Sequence, residues 1–139
     1  MRAYFFQNFY LQGIHAGIQS QHTTAEMFVK YQHACPEREM LYDWAINHKT
    51  AVVLNGGMQK DLFEVISSLN TLPYPFAWFK EEQDALNMAL TNVGVILPAK
   101  IYDAPKVEGH KWWDYLEKYY LTNNDVEFIR LLQSKRLMN

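Results

Sequence analysis

Gly13-Ile14-His15-Ala16-Gly17-Ile18-Gln19-Ser20-Gln21-His22-Thr23-Thr24-Ala25-Glu26 is the stretch around which the chain can be ordered. The run before it, residues 3–9, reads as a strand, with Tyr4, Phe5 and Phe6 supplying β-favouring bulk. A helix over residues 14–33 follows. On it His15, Gln19, His22 and Glu26 fall at i, i+4, i+7 and i+11, which is one face. Ile14, Ile18, Ala25 and Phe28 mark a neighbouring apolar face, the expected core side. Gly13 precedes the first turn, whose amides lack helical partners and favour negative charge.

Outward from that helix, Pro36 suits the first turn of a second helix, over residues 36–48, with Glu37 and Glu39 near its positive end. Met40, Leu41, Trp44 and Ala45 form its buried side. Residues 50–55 are a second strand; the unbroken Ala51, Val52, Val53 and Leu54 predict a central strand covered on both faces. Leu62, Val65, Ile66 and Leu69 give a third helix over residues 59–69. Strands over 75–80 and 91–97 follow, joined by a connection of about ten residues, which suits an antiparallel pair. The order β-α-α-β-α-β-β predicts an α/β fold, a small four-stranded mixed sheet flanked by helices. Residues 1–98 make that domain. Residues 99–139 read as a helical extension packed on it or on a partner. It has a linker over 99–109, an aromatic helix over 110–121, and a last helix capped by Asn123 or Asn124.

The totals narrow the function classes. The 139 residues suit one domain, and 49% hydrophobic and 15% aromatic content argues against disorder. A net charge of −2 argues against a protein that coats nucleic acid, because such binding neutralises many phosphates. A local basic patch stays open. Cys35 is the lone cysteine, so an internal disulfide is excluded and a reducing, cytoplasmic setting is expected. Beside His33 it reads as an indifferent thiol. No run approaches a transmembrane span.

The first hundred residues resemble the peptidyl-tRNA hydrolases of the archaeal and eukaryotic type, in element order and in parts of two motifs. The family motif Gly-Lys-x-Ala-Ala-Gln-x-x-His-Ala opens its first helix. Here Gln19 and His22 match it, His15 stands at the lysine, and Gly17 and Ile18 stand at two alanines. The second motif, Asp-x-Gly-x-Thr-Gln, leads to a strand ending in proline. Counted back from Pro98, its aspartate falls on Glu81, and its Gly, Thr and Gln fall on Gln83, Ala85 and Leu86. Trp78, Phe79 and Lys80 fit the strand leading in. The family cleaves the ester between a peptide and a tRNA's terminal ribose. The resemblance implies a pocket where helix one begins, with Glu81 in it.

Lys→His removes a fixed cation and the Thr-Gln loss removes two hydrogen-bonding side chains. With those changes the resemblance implies a relative that binds a nucleotide-type ligand (an RNA end such as that of tRNA, a nucleotide, or a sequestered nucleotide signal) at the start of helix one without cleaving it. His15, Gln19, His22, Glu26, Glu81 and Asn87 would line the site. The alternative is an active hydrolase using Glu81 with His15 or His22. A third reading is a structural or protein-interaction module built on the C-terminal helices.

Other candidates carry less. The cluster Glu81, Glu82 and Asp84 can raise a carboxyl pKa, and Asn87 and Asn92 can read a base or ribose. Gly56-Gly57 can offer amides to phosphate, or form a plain turn. His15 and His22 stand about 10 Å apart along a helix axis, too far to share one zinc, so neither metal nor cofactor is expected. Trp112, Trp113, Tyr119 and Tyr120 cannot all face one way on a helix, which predicts a homodimer or ligand contact.

Overall fold

The computed structural model describes residues 1–81 and 89–139. Four strands, β1 (Arg2–Asn8), β2 (Ala51–Gly57), β3 (Phe76–Lys80) and β4 (Leu90–Leu97), form one mixed sheet in the order β2-β1-β4-β3. β1 and β2 run parallel, and β4 is antiparallel to both β1 and β3. This is the expected α/β class, with the hairpin-like β3–β4 pair. The predicted central strand is not central. β2 lies at a sheet edge with Ala51 exposed and Val52 and Val53 only half-buried. Unbroken apolar sequence marked burial, but the second cover is a strap, not a strand: residues 136–138 lie along its outer side. Asn55 N donates to Arg136 O at 2.8 Å and Met138 N to Val53 O at 2.9 Å.

Helices cover both faces. α1 (Ile14–Lys30) and α2 (Pro36–Asp43, continued by a wider turn over Trp44–His48) lie on one side. There Ala3, Phe5 and Ile96 of the sheet meet Met27, Leu41 and Trp44. α3 (Gln59–Leu69), the single turn α4 (Ala99–Tyr102), α5 (Trp112–Tyr119) and α6 (Asn123–Gln133) lie on the other. Their core joins Tyr4, Phe6, Val93 and Val95 to Leu62, Val65, Phe128 and Ile129. Residues 99–139 thus supply part of the sheet's own core. Trp112, expected among surface aromatics, is 2% exposed inside it, whereas Trp113 and Tyr120 are 63% and 87% exposed. The helical period explains the split: adjacent residues diverge by about 100°, so one tryptophan faces in and its neighbour out. Thr122, not an asparagine, caps α6: its side chain accepts from Asp125 N at 3.0 Å, and Asp125 returns a bond to Thr122 N at 3.1 Å.

The buried face of α1 differs from expectation. Ile14 and Ile18 are exposed, and the buried stripe is Ala16, Ser20, Thr23 and Met27, with Gln19 at its border. Its spacing is again i, i+4, i+7, i+11, turned one residue from the predicted polar face. Close approach is the cause. A Cβ on Gly94 of β4 would lie 2.8 Å from the Phe5 ring and 2.9 Å from Thr23 Cγ2, so only small side chains fit between helix and sheet. No helix of the described residues is long and apolar enough to cross a membrane.

Two expectations follow from this packing. Gly94→Ala pushes α1 off the sheet and should lower stability by about 1–3 kcal/mol in urea denaturation, as overpacking does. An unchanged midpoint would contradict the tight contact. Separately, Tyr74 donates to the buried Asp125 at 2.9 Å, and burial, then that carboxylate, pushes its phenol well above its ordinary value of 10.0. A raised folded pKa contributes stability that is full below the unfolded value and is lost above it. Wild-type stability should therefore fall as pH rises beyond 10.0, and Tyr74→Phe should flatten that fall. Parallel alkaline profiles would refute the assignment.

Candidate functional site

The carboxyl end of β1 points its last residues at the start of α1, and β4, running the other way, begins beside it. Gln7 and Asn92 are direct cross-strand partners there. Both are fully buried, and Asn8, Ser20, Gln19, Thr23 and Thr91 are buried around them. Polar groups at such depth demand partners. Asn92 Nδ2 donates to Gln7 Oε1 at 2.8 Å and to Ser20 Oγ at 3.2 Å. Ser20 Oγ donates to Ala16 O at 2.8 Å. Gln7 Nε2 donates to Asn8 O at 3.3 Å, and Asn8 Nδ2 to Leu90 O at 3.3 Å. One atom is left over. Asn92 Oδ1 is buried and has no hydrogen-bond partner among the described residues. An orphaned carbonyl of this kind costs about 1–3 kcal/mol.

A second chain of bonds runs from this interior to the surface. Thr91 Oγ1 donates to Gln19 Oε1 at 2.8 Å, with Phe79 O at 3.2 Å. Gln19 Nε2 then donates to Glu81 Oε2 at 3.2 Å. Gln19 and Glu81, 62 residues apart in sequence, therefore share a hydrogen bond. Glu81 N also donates to Ala89 O at 3.0 Å, which fixes the carboxylate's stem. The geometry joins a half-buried acid to a buried amide, and through Thr91 to the strand beneath.

The other candidates disperse. His15 is exposed on the first turn of α1. His22 is exposed as well, its ring 4.7 Å from that of Phe79. Neither histidine bonds a carboxylate among the described residues. Glu26 is exposed farther along and borders a hollow of about 250 Å³ with Lys30, Ala77 and Trp78. Burial draws the Lys30 ammonium below its ordinary value against the raising pull of Glu37, while its Nζ donates to Phe76 O at 2.9 Å. Glu82, Asp84 and Asn87 lie outside the described residues. Among the described residues no three His, Cys, Asp or Glu side chains gather as metal ligands.

Gln7, Ser20, Thr23 and Thr91 are site-forming residues that the periodicity of α1 does not reveal. A signal for some of them was present: Gln7-Asn8 and Thr91-Asn92 are polar pairs in otherwise apolar strands. No protein-family model matches the chain, and no curated protein matches it in sequence.

Thr91→Val keeps the shape but leaves Gln19 Oε1 without its donor. The expected cost is about 1–3 kcal/mol in urea denaturation, with Thr91→Ser restoring most of it. A valine variant as stable as wild type would show that the Thr91–Gln19 bond contributes nothing.

Proposed function

We propose that this protein binds a nucleotide-type ligand, such as an RNA end, where α1 begins beside the ends of β1 and β4, and that it does not cleave it. The observation that carries the binding reading is the buried polar cluster, in which the Asn92 oxygen has no partner among the described residues. Buried amides and hydroxyls are costly in a core and useful in a pocket, where they discriminate ligand donors and acceptors. Carboxyl ends of parallel strands are also where α/β sheets bind ligands. The nucleotide class comes from the resemblance to peptidyl-tRNA hydrolases. The non-catalytic part rests on the lysine replaced by His15 and on two histidines without carboxylate partners among the described residues.

One observation favours the active-hydrolase alternative. Gln19, from the first family-like motif, and Glu81, at the aspartate of the second, are bonded at 3.2 Å. That is the pairing a shared pocket needs.

The two readings separate by experiment. Purified protein should leave a defined peptidyl-tRNA intact while a nucleotide panel raises its melting temperature. Saturation to about 100 times Kd corresponds to roughly 2.7 kcal/mol of added stability. Gln19→Ala should abolish the rise. Ester cleavage that disappears in Glu81→Gln would replace this reading with the hydrolase. Absence of both cleavage and any melting shift would defeat both.

A further inference from the structure

We infer that the hollow between the carboxyl end of β2 and the segment following α6 is a phosphate-binding subsite. It has a volume of about 240 Å³ and is lined by Asn55, Gly57, Ser134, Lys135 and Arg136. Among the described residues its lining holds two cations and no carboxylate; the nearest acid, Asp61, stands behind the lining Gly57, its carboxylate accepting from Met58 N at 2.9 Å. Three other hollows of similar or larger size each set an acid beside the base: Glu26 with Lys30, Glu39 with Arg38, and Asp103 and Asp114 with Lys111 and Lys118. On a chain of net charge −2, a hollow lined by adjacent Lys and Arg, with its bordering carboxylate committed to a backbone N–H, runs against the general surface. Neither Lys135 nor Arg136 forms an ion pair among the described residues, where Arg130 pairs with Glu108 and His48 with Asp43.

The cations are set on fixed backbone. Lys135 N donates to Leu132 O at 3.2 Å, ending α6, and Arg136 O accepts from Asn55 N at 2.8 Å. Asn55 itself is oriented: its Oδ1 accepts from Gly57 N at 3.0 Å, which commits the oxygen and leaves the amide's NH₂ without a partner among the described residues. Ser134 Oγ donates its proton to Leu131 O at 2.6 Å, so the donors at hand are those of Lys135, Arg136 and Asn55. An ammonium, a guanidinium and an amide NH₂ around a space of this size suit a phosphate group, the lysine as a point charge and the arginine as a fork.

The place is coherent with a composite ligand. Phe9 N donates to Gly57 O at 2.9 Å, joining the end of β2 to that of β1, and Gly13 N donates to Asn139 O at 3.1 Å, joining the terminal segment to the start of α1. The phosphate's carrier, a nucleotide-type ligand, rests on the function proposed above; the anion subsite itself does not.

Calorimetric titration at low salt tests it with inorganic pyrophosphate and with a short oligoribonucleotide carrying either a 5′-phosphate or a 5′-hydroxyl. The proteins are wild type, the double variant Lys135→Ser with Arg136→Ser, and a charge-matched control, Lys111→Ser with Lys118→Ser. Both exchanged pairs sit outside the polar cluster, so folding should persist. Losing two charged hydrogen bonds should weaken pyrophosphate roughly tenfold or more in the first variant and leave the control unchanged. Equal weakening in both variants, or no binding to wild type at millimolar pyrophosphate, overturns the subsite. A 5′-phosphate preference that vanishes in the first variant makes an RNA end the carrier. Pyrophosphate binding that depends on Lys135 and Arg136 without any oligonucleotide binding keeps the subsite for a free anion and rules out an RNA end as its carrier.

Discussion

The N-terminal half of α1 meets the sheet through polar side chains, and that constraint orders the rest. Gln7 and Asn92 face each other across β1 and β4, and Ser20 closes the group from the helix. In an apolar contact the helix could rotate or slide at small cost, because dispersion is not directional. Here a rotation would leave buried amides and hydroxyls unpaired, each at a cost comparable to a lost hydrogen bond. Gly94 tightens the same contact by letting Thr23 and Phe5 come close. α1 thus has one rotation and one height above the sheet. The position of Gln19, and so of Glu81, follows from it.

The opposite face works by different physics. Tyr4, Phe6, Leu62, Val65, Phe128 and Ile129 bury hydrocarbon, which drives folding in proportion to area and without regard to direction. Residues 99–139 belong to this side, with Ile101, Trp112 and Leu132 in the core. The division suits the binding role proposed above. The larger apolar core lies on one face, and the other, beside its own smaller core, holds a polar cluster in which Asn92 Oδ1 has no partner among the described residues.

How much of this was legible in the sequence depends on which rule each residue obeyed. Leu62, Val65 and Leu69 follow helical periodicity and are buried as it predicts. The strand order through β3 and β4 followed from short spacing and a terminal proline. α1 failed the rule because its buried stripe is Ala16, Ser20, Thr23 and Met27, of which two are hydroxyls. A hydrophobicity pattern can see only Ile14 and Ile18, which face outward. β2 misled for a related reason: Val52, Val53 and Leu54 are apolar enough for a centre strand, but a three-residue strap supplies the cover. At the site, Gln19 and Glu81 could be placed together only through a family resemblance, since nothing local links positions 62 apart. The Asn92 oxygen, without a partner among the described residues, is a product of three-dimensional packing and has no sequence signature at all.

Both sheet edges need cover, because a bare strand edge invites pairing with another chain. The two devices used differ, and the difference bears on function. At β3 the outward peptide groups of Phe76 are met by side chains of the α1 region: Tyr31 donates to its carbonyl at 3.2 Å and accepts from its N–H at 3.1 Å, while Lys30 adds a bond at 2.9 Å. That cover is local and carries no chain past the sheet. At β2 the cover is backbone from the far end of the sequence, and it must travel along the strand to reach Gly13. In doing so it brings Lys135 and Arg136 to the end of the sheet where β1 and β2 finish. A side-chain cap would have protected β2 equally well. Only a returning segment could also deliver cations there, and only α6, anchored by Phe128 and Ile129, gives that segment a fixed starting point.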